Sequence, residues 1–169
     1  MTGPRRNGKS TGIWRMASLA AAIGLVIAFA SPPALNAATT ERLVVDWRSG
    51  LAIHGFDPVA YFTDNRPVVG RPEVEYAFAG AVWRFRNVGN RAAFDARPDV
   101  YLPRFGGYDP VAVARGVATP GHPLLWLVAH ERLYLFQSAQ TRDAFAADMD
   151  NAIQAADLKW PDVWRELVP

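Results

Sequence analysis

Two β-hairpins are predicted in this chain, the first from a regular alternation of apolar and polar residues. In VEYAFAGAVWRFRN, residues 74–87, the alternation runs on both sides of Gly80, which is typical of a hairpin with one buried face. A second hairpin is predicted in LLWLVAHERLYLFQ, residues 124–137, with its turn near His130 and Glu131. The two hairpins therefore begin about 50 residues apart.

A helix is predicted after each hairpin. GNRAAFDARPDVY, residues 89–101, has helical spacing, with a start at Asn87 or Gly89. It should end at Arg97-Pro98, because a residue before proline disfavours helical geometry. SAQTRDAFAADMDNAIQAADL, residues 138–158, is predicted to form one helix with Ser138 as its N-cap.

An Asp-Pro step precedes each hairpin. The phrases GFDPVA, residues 55–60, and GYDPVA, residues 107–112, differ at one position. Asp57 and Asp109 are predicted to cap short helices, each followed by a proline at the first helical position, where its missing N–H costs nothing.

The two halves of the chain align beyond this phrase. WRFRNVGNRAAFDA from Trp83 and YLFQSAQTRDAFAA from Tyr134 share five of 14 residues. We interpret the chain as two copies of a unit, about residues 50–101 and 102–160, in which a short capped helix, a hairpin and a helix follow one another. Independent use of the same turn chemistry is the alternative.

Two units suggest a fold class. A unit of about 50 residues buries little surface by itself, so each should pack on the other. We therefore predict an α+β fold, in which the pseudo-repeated units form one small domain with an antiparallel sheet. Phe94 and Phe145 occupy matching positions and are expected to share its core.

Residues 1–38 have the three-part form of a secretory signal peptide. A segment with four basic residues and no acidic ones is followed by an apolar run of 15 residues, 16–30, and then by SPPALNAA. The alternative, a membrane-spanning helix, needs about 20 apolar residues. We predict cleavage after Ala37 or Ala38, and a periplasmic or secreted domain with no stable membrane anchor.

Composition narrows the chemistry of that domain. The formal charge of +2 includes the four basic residues of the signal, which leaves −2 for residues 39–169. A mildly acidic domain does not favour a phosphate-binding groove, so no nucleic-acid partner is predicted. Cysteine is absent, which excludes disulfides, a thiolate nucleophile, a cysteine metal site and a lipidated-cysteine anchor.

Asp57 and Asp109 are the first carboxylates to consider as an acid–base pair. Catalytic carboxylates need surroundings that separate their pKa values, whereas an aspartate before proline at a helix start has an ordinary capping role worth about 1 kcal/mol. We favour capping. No G-x-S-x-G motif surrounds Ser49 or Ser138, and no glycine-rich loop has a nucleotide-binding form, so neither an enzyme nor a cofactor is predicted.

The histidines and tryptophans leave two alternatives open. His54, three residues before an aspartate, could bind a metal or shuttle a proton. His122 lies in a predicted loop and His130 in a predicted turn, and no two histidines have helical i, i+4 spacing. We therefore favour a structural or solvated role for all three histidines and predict no metal site.

The tryptophans at 126, 160 and 164 are predicted to close the core. The alternative is an exposed aromatic surface that binds a partner or ligand.

Several segments resemble exported bacterial YHS domain-containing proteins. GLAIHGFDPVAYF, YAFAGAVWRFRNVGNRAAFDARPDVYLPRFGGY, RLYLF and AADLKWP carry the resemblance, which spans residues 50–161. It implies a small α+β fold, an extracytoplasmic location and a link to metal ions through cysteines of related domains. Family members usually continue the GGY phrase with Cys-Ala, whereas this chain has Asp109-Pro110. A cysteine-based metal or redox role is therefore not implied here.

These observations predict an exported, non-enzymatic YHS-like binding or accessory domain of the cell envelope. Its ligand site is expected where the two Asp-Pro phrases meet, at helix starts that expose amide donors. The predicted lining residues are His54, Asp57, Tyr61, Tyr108 and Asp109. The partner would be an envelope protein or a small ligand. The alternative function is a periplasmic protein that handles metal ions with His54 and nearby carboxylates.

Overall fold

The computed structural model describes residues 41–167. The chain divides between residues 34 and 35, so all of the described residues belong to the second unit, Leu35–Pro169. The predicted signal peptide, residues 1–38, lies outside the described residues. Within residues 41–167, no helix combines the length and the apolar character needed to cross a bilayer.

The described residues form an α+β domain with six helices and two antiparallel two-stranded sheets, which confirms the predicted fold class. After a 3₁₀ turn at Ile53–Gly55 come α1 (Ala60–Thr63), β1 (Arg71–Phe78), β2 (Ala81–Phe85), α2 (Val88–Ala96) and α3 (Pro98–Tyr101). A second 3₁₀ turn, Arg104–Gly107, precedes α4 (Pro110–Val113), β3 (His122–Ala129), β4 (Arg132–Phe136), α5 (Ala139–Ala147) and α6 (Met149–Glu166). The order of elements is thus the same in both halves, and the interpretation of two copied units stays a prediction.

Both predicted hairpins are confirmed, and their turns explain their registers. Ala79 and Gly80 connect β1 to β2, and His130 and Glu131 connect β3 to β4; all four have positive φ, between 49° and 80°. Two-residue turns with positive φ match the right-handed twist of paired strands. In β2 the buried residues Ala81, Trp83 and Phe85 alternate along the strand and lie on one face, as predicted for the first hairpin.

The helix starts follow local side-chain chemistry. The Asn87 side chain accepts a hydrogen bond from the Asn90 amide at 2.8 Å, and the Ser138 hydroxyl accepts one from the Thr141 amide at 3.2 Å. These bonds confirm both predicted N-caps, since each satisfies an amide that has no partner within its helix.

The single helix predicted for residues 138–158 is wrong. Asp148 has non-helical backbone angles, φ −148° and ψ 64°, and separates α5 from α6. The break changes the direction of the chain, so that Ala156 and Val163 of α6 reach the core. Helix α3 was also not predicted.

Strand β4 lies between two hydrophobic clusters. Leu133 and Leu135 belong to the first cluster, which includes residues of β2 and α2, while Tyr134 and Phe136 belong to the second cluster, which includes residues of α5 and α6. Successive side chains of a strand point to opposite faces, so this strand contributes to both clusters at once. β4 is therefore the strand that the two hydrophobic clusters share.

The expectation that Phe94 and Phe145 share a core is wrong. The ring of Phe94 packs against Trp83 in the first cluster, at 5.1 Å between centroids, and Phe145 packs against Tyr134 in the second cluster, at 4.9 Å. The β3–β4 hairpin supplies side chains to both clusters and stands between the two phenylalanines.

Candidate functional site

Asp57 is fully buried, and backbone and amide donors occupy its carboxylate. One oxygen accepts a hydrogen bond from the Val59 amide at 2.9 Å. The other accepts bonds from the Arg86 amide at 2.8 Å and from the Asn90 side chain at 2.7 Å. The carboxylate therefore ties the loop before α1 to the end of β2 and to the start of α2.

Asp109 is equally buried and has four donors. One oxygen accepts from the amides of Val111 and Ala112, at 2.8 and 3.3 Å, and the other accepts from the Gln137 amide at 2.8 Å and the Thr141 hydroxyl at 2.6 Å. Asp109 is the N-cap of α4, which confirms its predicted role. It also joins this helix to the end of β4.

The capping geometry of Asp57 differs in one respect from the prediction. Its carboxylate bonds to the amide two residues ahead, but α1 begins only at Ala60, after Val59 as the N-cap residue. The bond thus closes a turn before the helix. Both aspartates have their acceptor capacity satisfied by groups of the fold, as buried carboxylates require.

The two tyrosines of the predicted site are buried and hydrogen-bonded. Tyr61 is 1% exposed and donates its hydroxyl to the Pro123 carbonyl at 2.9 Å. Burial raises the pKa of the Tyr61 phenol far above its usual range, and the negative charge of Asp57 raises it further. Tyr108 is also fully buried and donates its hydroxyl to the Glu41 carbonyl.

Segment 119–123 connects four of the five predicted site residues. The Asp109 amide donates to the Thr119 carbonyl at 2.8 Å, and Tyr108 pairs with Pro120 in an isolated antiparallel bridge. Tyr61 bonds to Pro123, as described above, and the ring of His54 lies beside that of His122. Asp57 instead donates its amide to Val68. Only His54 among the five is exposed at the surface.

His54 is held in an unusual backbone conformation. It has φ 55° and ψ 27°, and Ile53 before it has φ 40°. This left-handed conformation is about 1–2 kcal/mol less favourable for residues other than glycine, and β-branched residues such as Ile53 adopt it even less often than other side chains do. In the 3₁₀ turn before Asp109, the left-handed residue next to Phe105 is Gly106, with φ 62°. Such strain is common where a side chain has a function.

The imidazoles of His54 and His122 face each other at the surface. Their ring centroids are 5.9 Å apart, and the ring planes are inclined by 39°. His122 Nδ1 accepts a hydrogen bond from the Leu124 amide at 3.2 Å. Both histidines are exposed, so solvent and small ions reach this pair.

His54 also borders a shallow surface depression of about 280 Å³. We call it the Trp47 surface; its lining residues include Val45, Asp46, Trp47, Arg48, His54 and Pro120. The Trp47 side chain is 79% exposed, and the Arg48 guanidinium lies 4.8 Å from the centre of its ring. Such an arrangement combines apolar area with a cation–π contact.

A tight turn supports this surface. The Asp46 carboxylate accepts a hydrogen bond from the Arg48 amide at 2.8 Å, and the Asp46 carbonyl accepts from the Gly50 amide at 2.7 Å. The amide of Arg48 is the main cause that lowers the pKa of the Asp46 carboxyl below its usual range, and the charge of His54 lowers it further. The turn therefore fixes the backbone that carries Trp47.

Sequence reasoning missed Trp47 and Arg48 as surface residues, and it did not place His122 beside His54. A signal was present for the first two, because DWRSG combines an aspartate, a serine and a glycine as a turn would and places a tryptophan within it. No local signal brings His122 to His54. Their contact depends on how segment 119–123 crosses the first 3₁₀ turn.

The described residues include no group of three or more His, Cys, Asp or Glu side chains arranged to hold a metal ion.

Comparisons with protein-family models, with curated proteins and with solved structures find no significant match to this chain. The resemblance to YHS domain-containing proteins therefore stays a prediction.

Proposed function

We propose that this protein is an exported, non-enzymatic binding or accessory domain of the cell envelope, and that it binds a protein partner through the Trp47 surface. The observation that carries the proposal is the exposure of Trp47, which leaves 79% of a large aromatic side chain in water. Tryptophan and arginine are the side chains most often found as energetic anchors of protein interfaces.

The Trp47 side chain is presented on a preorganised turn. Asp46 bonds to the backbone on both sides of the turn, and Arg48 stacks on the indole ring. A partner would therefore order few additional groups on binding, which reduces the entropic cost of association. The shallow form of the depression favours a protein surface over a small molecule, since small-molecule sites are usually deep and enclosed.

The buried residues of the predicted site support a structural role beneath this surface. Asp57 and Asp109 accept seven hydrogen bonds between them from the fold, three and four respectively. A general acid or base needs a carboxylate that can reach a substrate proton. We infer that Asp57, Tyr61, Tyr108 and Asp109 hold the framework, while His54 contacts the partner.

Site-specific photo-crosslinking tests this proposal. A photoreactive amino acid replaces Trp47 in the full-length protein, in the cells that naturally produce it, and a matched variant carries the same group at Val88, which is 67% exposed on α2. We expect one discrete adduct from position 47 and none from position 88. The captured protein, once purified, should bind the Trp47→Ala variant about 10- to 100-fold more weakly than wild type.

Two results would contradict the proposal. Adducts of the same sizes from both positions would mean that the Trp47 surface has no particular partner. Equal affinity of the captured protein for wild type and the Trp47→Ala variant would mean that the indole ring is not an anchor. The Val88→Ala variant is the control for a loss of exposed apolar area elsewhere.

A second candidate function is metal-ion handling by His54 and nearby carboxylates. The observation that favours it is that Asp46 and His54 line the same surface depression. A nitrogen ligand beside an oxygen ligand suits borderline divalent ions. Metal content of untagged protein, before and after the His54→Ala change, tests this function.

A further inference from the structure

The chain contains three histidines, and the fold brings two of them together. His54 lies in the 3₁₀ turn before α1, whereas His122 is the first residue of β3. Their rings lie 5.9 Å apart between centroids, at the surface. The third histidine, His130, is in the β3–β4 turn, where it lies 3.1 Å from the Asp150 carboxylate.

We propose that His54 and His122 together form a binding site for one divalent transition-metal ion such as Cu²⁺ or Zn²⁺. A metal bonded to an imidazole nitrogen at about 2.0–2.1 Å lies about 3.2 Å from the ring centroid. Two imidazoles on one ion then have centroids about 5.2 Å apart at a tetrahedral angle and about 6.4 Å apart in a linear arrangement. The observed 5.9 Å falls inside this range.

The backbone of His54 allows glycine to replace it as a test of the side chain. The residue adopts left-handed geometry that glycine adopts without strain, and the turn before Asp109 has Gly106 in such a conformation. At Gly106 an added Cβ would lie 2.1 Å from the Arg42 carbonyl oxygen, so glycine is required there. A histidine at position 54 satisfies the turn less well than glycine would, yet it places an imidazole beside His122.

Metal binding should release a specific hydrogen bond. His122 Nδ1 accepts from the Leu124 amide, so the neutral ring carries its proton on Nε2. Binding through Nδ1 displaces the amide, and binding of the neutral ring through Nε2 moves its proton to Nδ1, which can then no longer accept the bond. Either way the Leu124 amide loses its acceptor.

The remaining coordination positions are open. Because residues 41–167 offer no cluster of three metal-ligating side chains, water would complete the coordination of the ion. Two imidazole ligands favour Cu²⁺ over Zn²⁺, following the general order of affinities for nitrogen ligands. The site deepens the second candidate function, metal-ion handling through His54, and rests on it. It shares His54 with the Trp47 surface but does not rest on the proposed partner binding.

Calorimetric titration with ZnCl₂ and CuCl₂ tests the site, using protein expressed from the full-length sequence without an affinity tag. We expect one ion per chain. The variants His54→Gly and His122→Ala should each bind at least about tenfold more weakly. His130→Ala is the matched histidine control, and both it and Trp47→Ala should bind as wild type does. Failure of partner crosslinking with intact metal binding would therefore reject only the Trp47 proposal.

Two further measurements separate a ligand role from a structural one. His54→Gly should keep or raise the Tm, because it relieves left-handed strain, while metal binding is lost. In NMR spectra, Zn²⁺ should shift the Leu124 amide signal and accelerate its hydrogen exchange. The proposal is overturned if wild type binds no ion at millimolar concentration, if His54→Gly and His122→Ala bind as wild type does, or if His130→Ala weakens binding as much as they do.

Discussion

The Asp57→Asn substitution tests whether the buried aspartates serve the fold. It retains the size of the side chain but replaces one carboxylate oxygen with an NH₂ group. Three donors point at this carboxylate: the amides of Val59 and Arg86, and the side chain of Asn90. In either orientation, the new NH₂ group faces at least one backbone N–H that has no other acceptor there.

The cost follows from these contacts. One buried N–H left without an acceptor costs about 1–3 kcal/mol, and the two remaining hydrogen bonds each lose about 1 kcal/mol because they are no longer charge-assisted. The sum is about 3–5 kcal/mol, a large fraction of the 5–15 kcal/mol typical of a domain. For a domain of this size the Tm should fall by about 10–30 °C.

Urea unfolding followed by tryptophan fluorescence, together with a thermal melt, measures this loss. The control is Asp143→Asn, which changes a carboxylate whose side chain is 68% exposed and paired only with the neighbouring Arg142. Its free energy of unfolding should stay within about 0.5 kcal/mol of wild type. The urea m-value should be unchanged in both variants if the unfolded state is the same.

The sign of the change distinguishes two roles for Asp57. A residue kept for chemistry at the expense of stability often stabilises the protein when it is replaced, whereas a framework residue destabilises it. If the free energy of unfolding of Asp57→Asn is within about 1 kcal/mol of wild type, or higher, the hydrogen bonds of the Asp57 carboxylate do not stabilise the fold as proposed. The framework interpretation of both aspartates would then be rejected.

Two pH-dependent predictions follow from the pKa shifts. Tyr61→Phe removes the hydroxyl that donates to the Pro123 carbonyl and should lower the free energy of unfolding by about 1–2 kcal/mol at pH 8. Burial, and then the Asp57 charge, raise the Tyr61 pKa, so wild type should lose stability as the pH rises above about 10. Urea titrations should then show that the stability difference between wild type and the variant shrinks. An equal difference at pH 8 and pH 11 would contradict this. Asp64→Asn removes the negative charge that accepts the Arg86 guanidinium hydrogen bond, and this bond is the main cause that lowers the Asp64 pKa. The variant should be less stable at pH 7. The difference should disappear as the pH falls below about 4, because the carboxylate contribution is lost as the pH falls through its folded pKa. A difference in urea midpoint that persists at pH 2 would contradict that reasoning.

Local sequence chemistry determined much of this fold. Period-2 alternation around Gly80 predicted the first hairpin, and the second was predicted with its turn near His130 and Glu131; strand faces and two-residue turns depend on neighbours within a few positions. The same is true of the caps at Asn87, Asp109 and Ser138, where a side chain reaches an amide two or three residues ahead. Such features require no knowledge of distant segments.

Tertiary packing decided what the sequence patterns left open. β4 reads as an ordinary apolar strand, but whether it has one buried face or two depends on α2 and α6, which lie in different parts of the chain. This arrangement separates Phe94 from Phe145. It also determines the candidate site, since His54 meets His122 only because segment 119–123 crosses the first 3₁₀ turn. Short-range patterns cannot specify such contacts, because their energy comes from surfaces that meet only after the chain has folded.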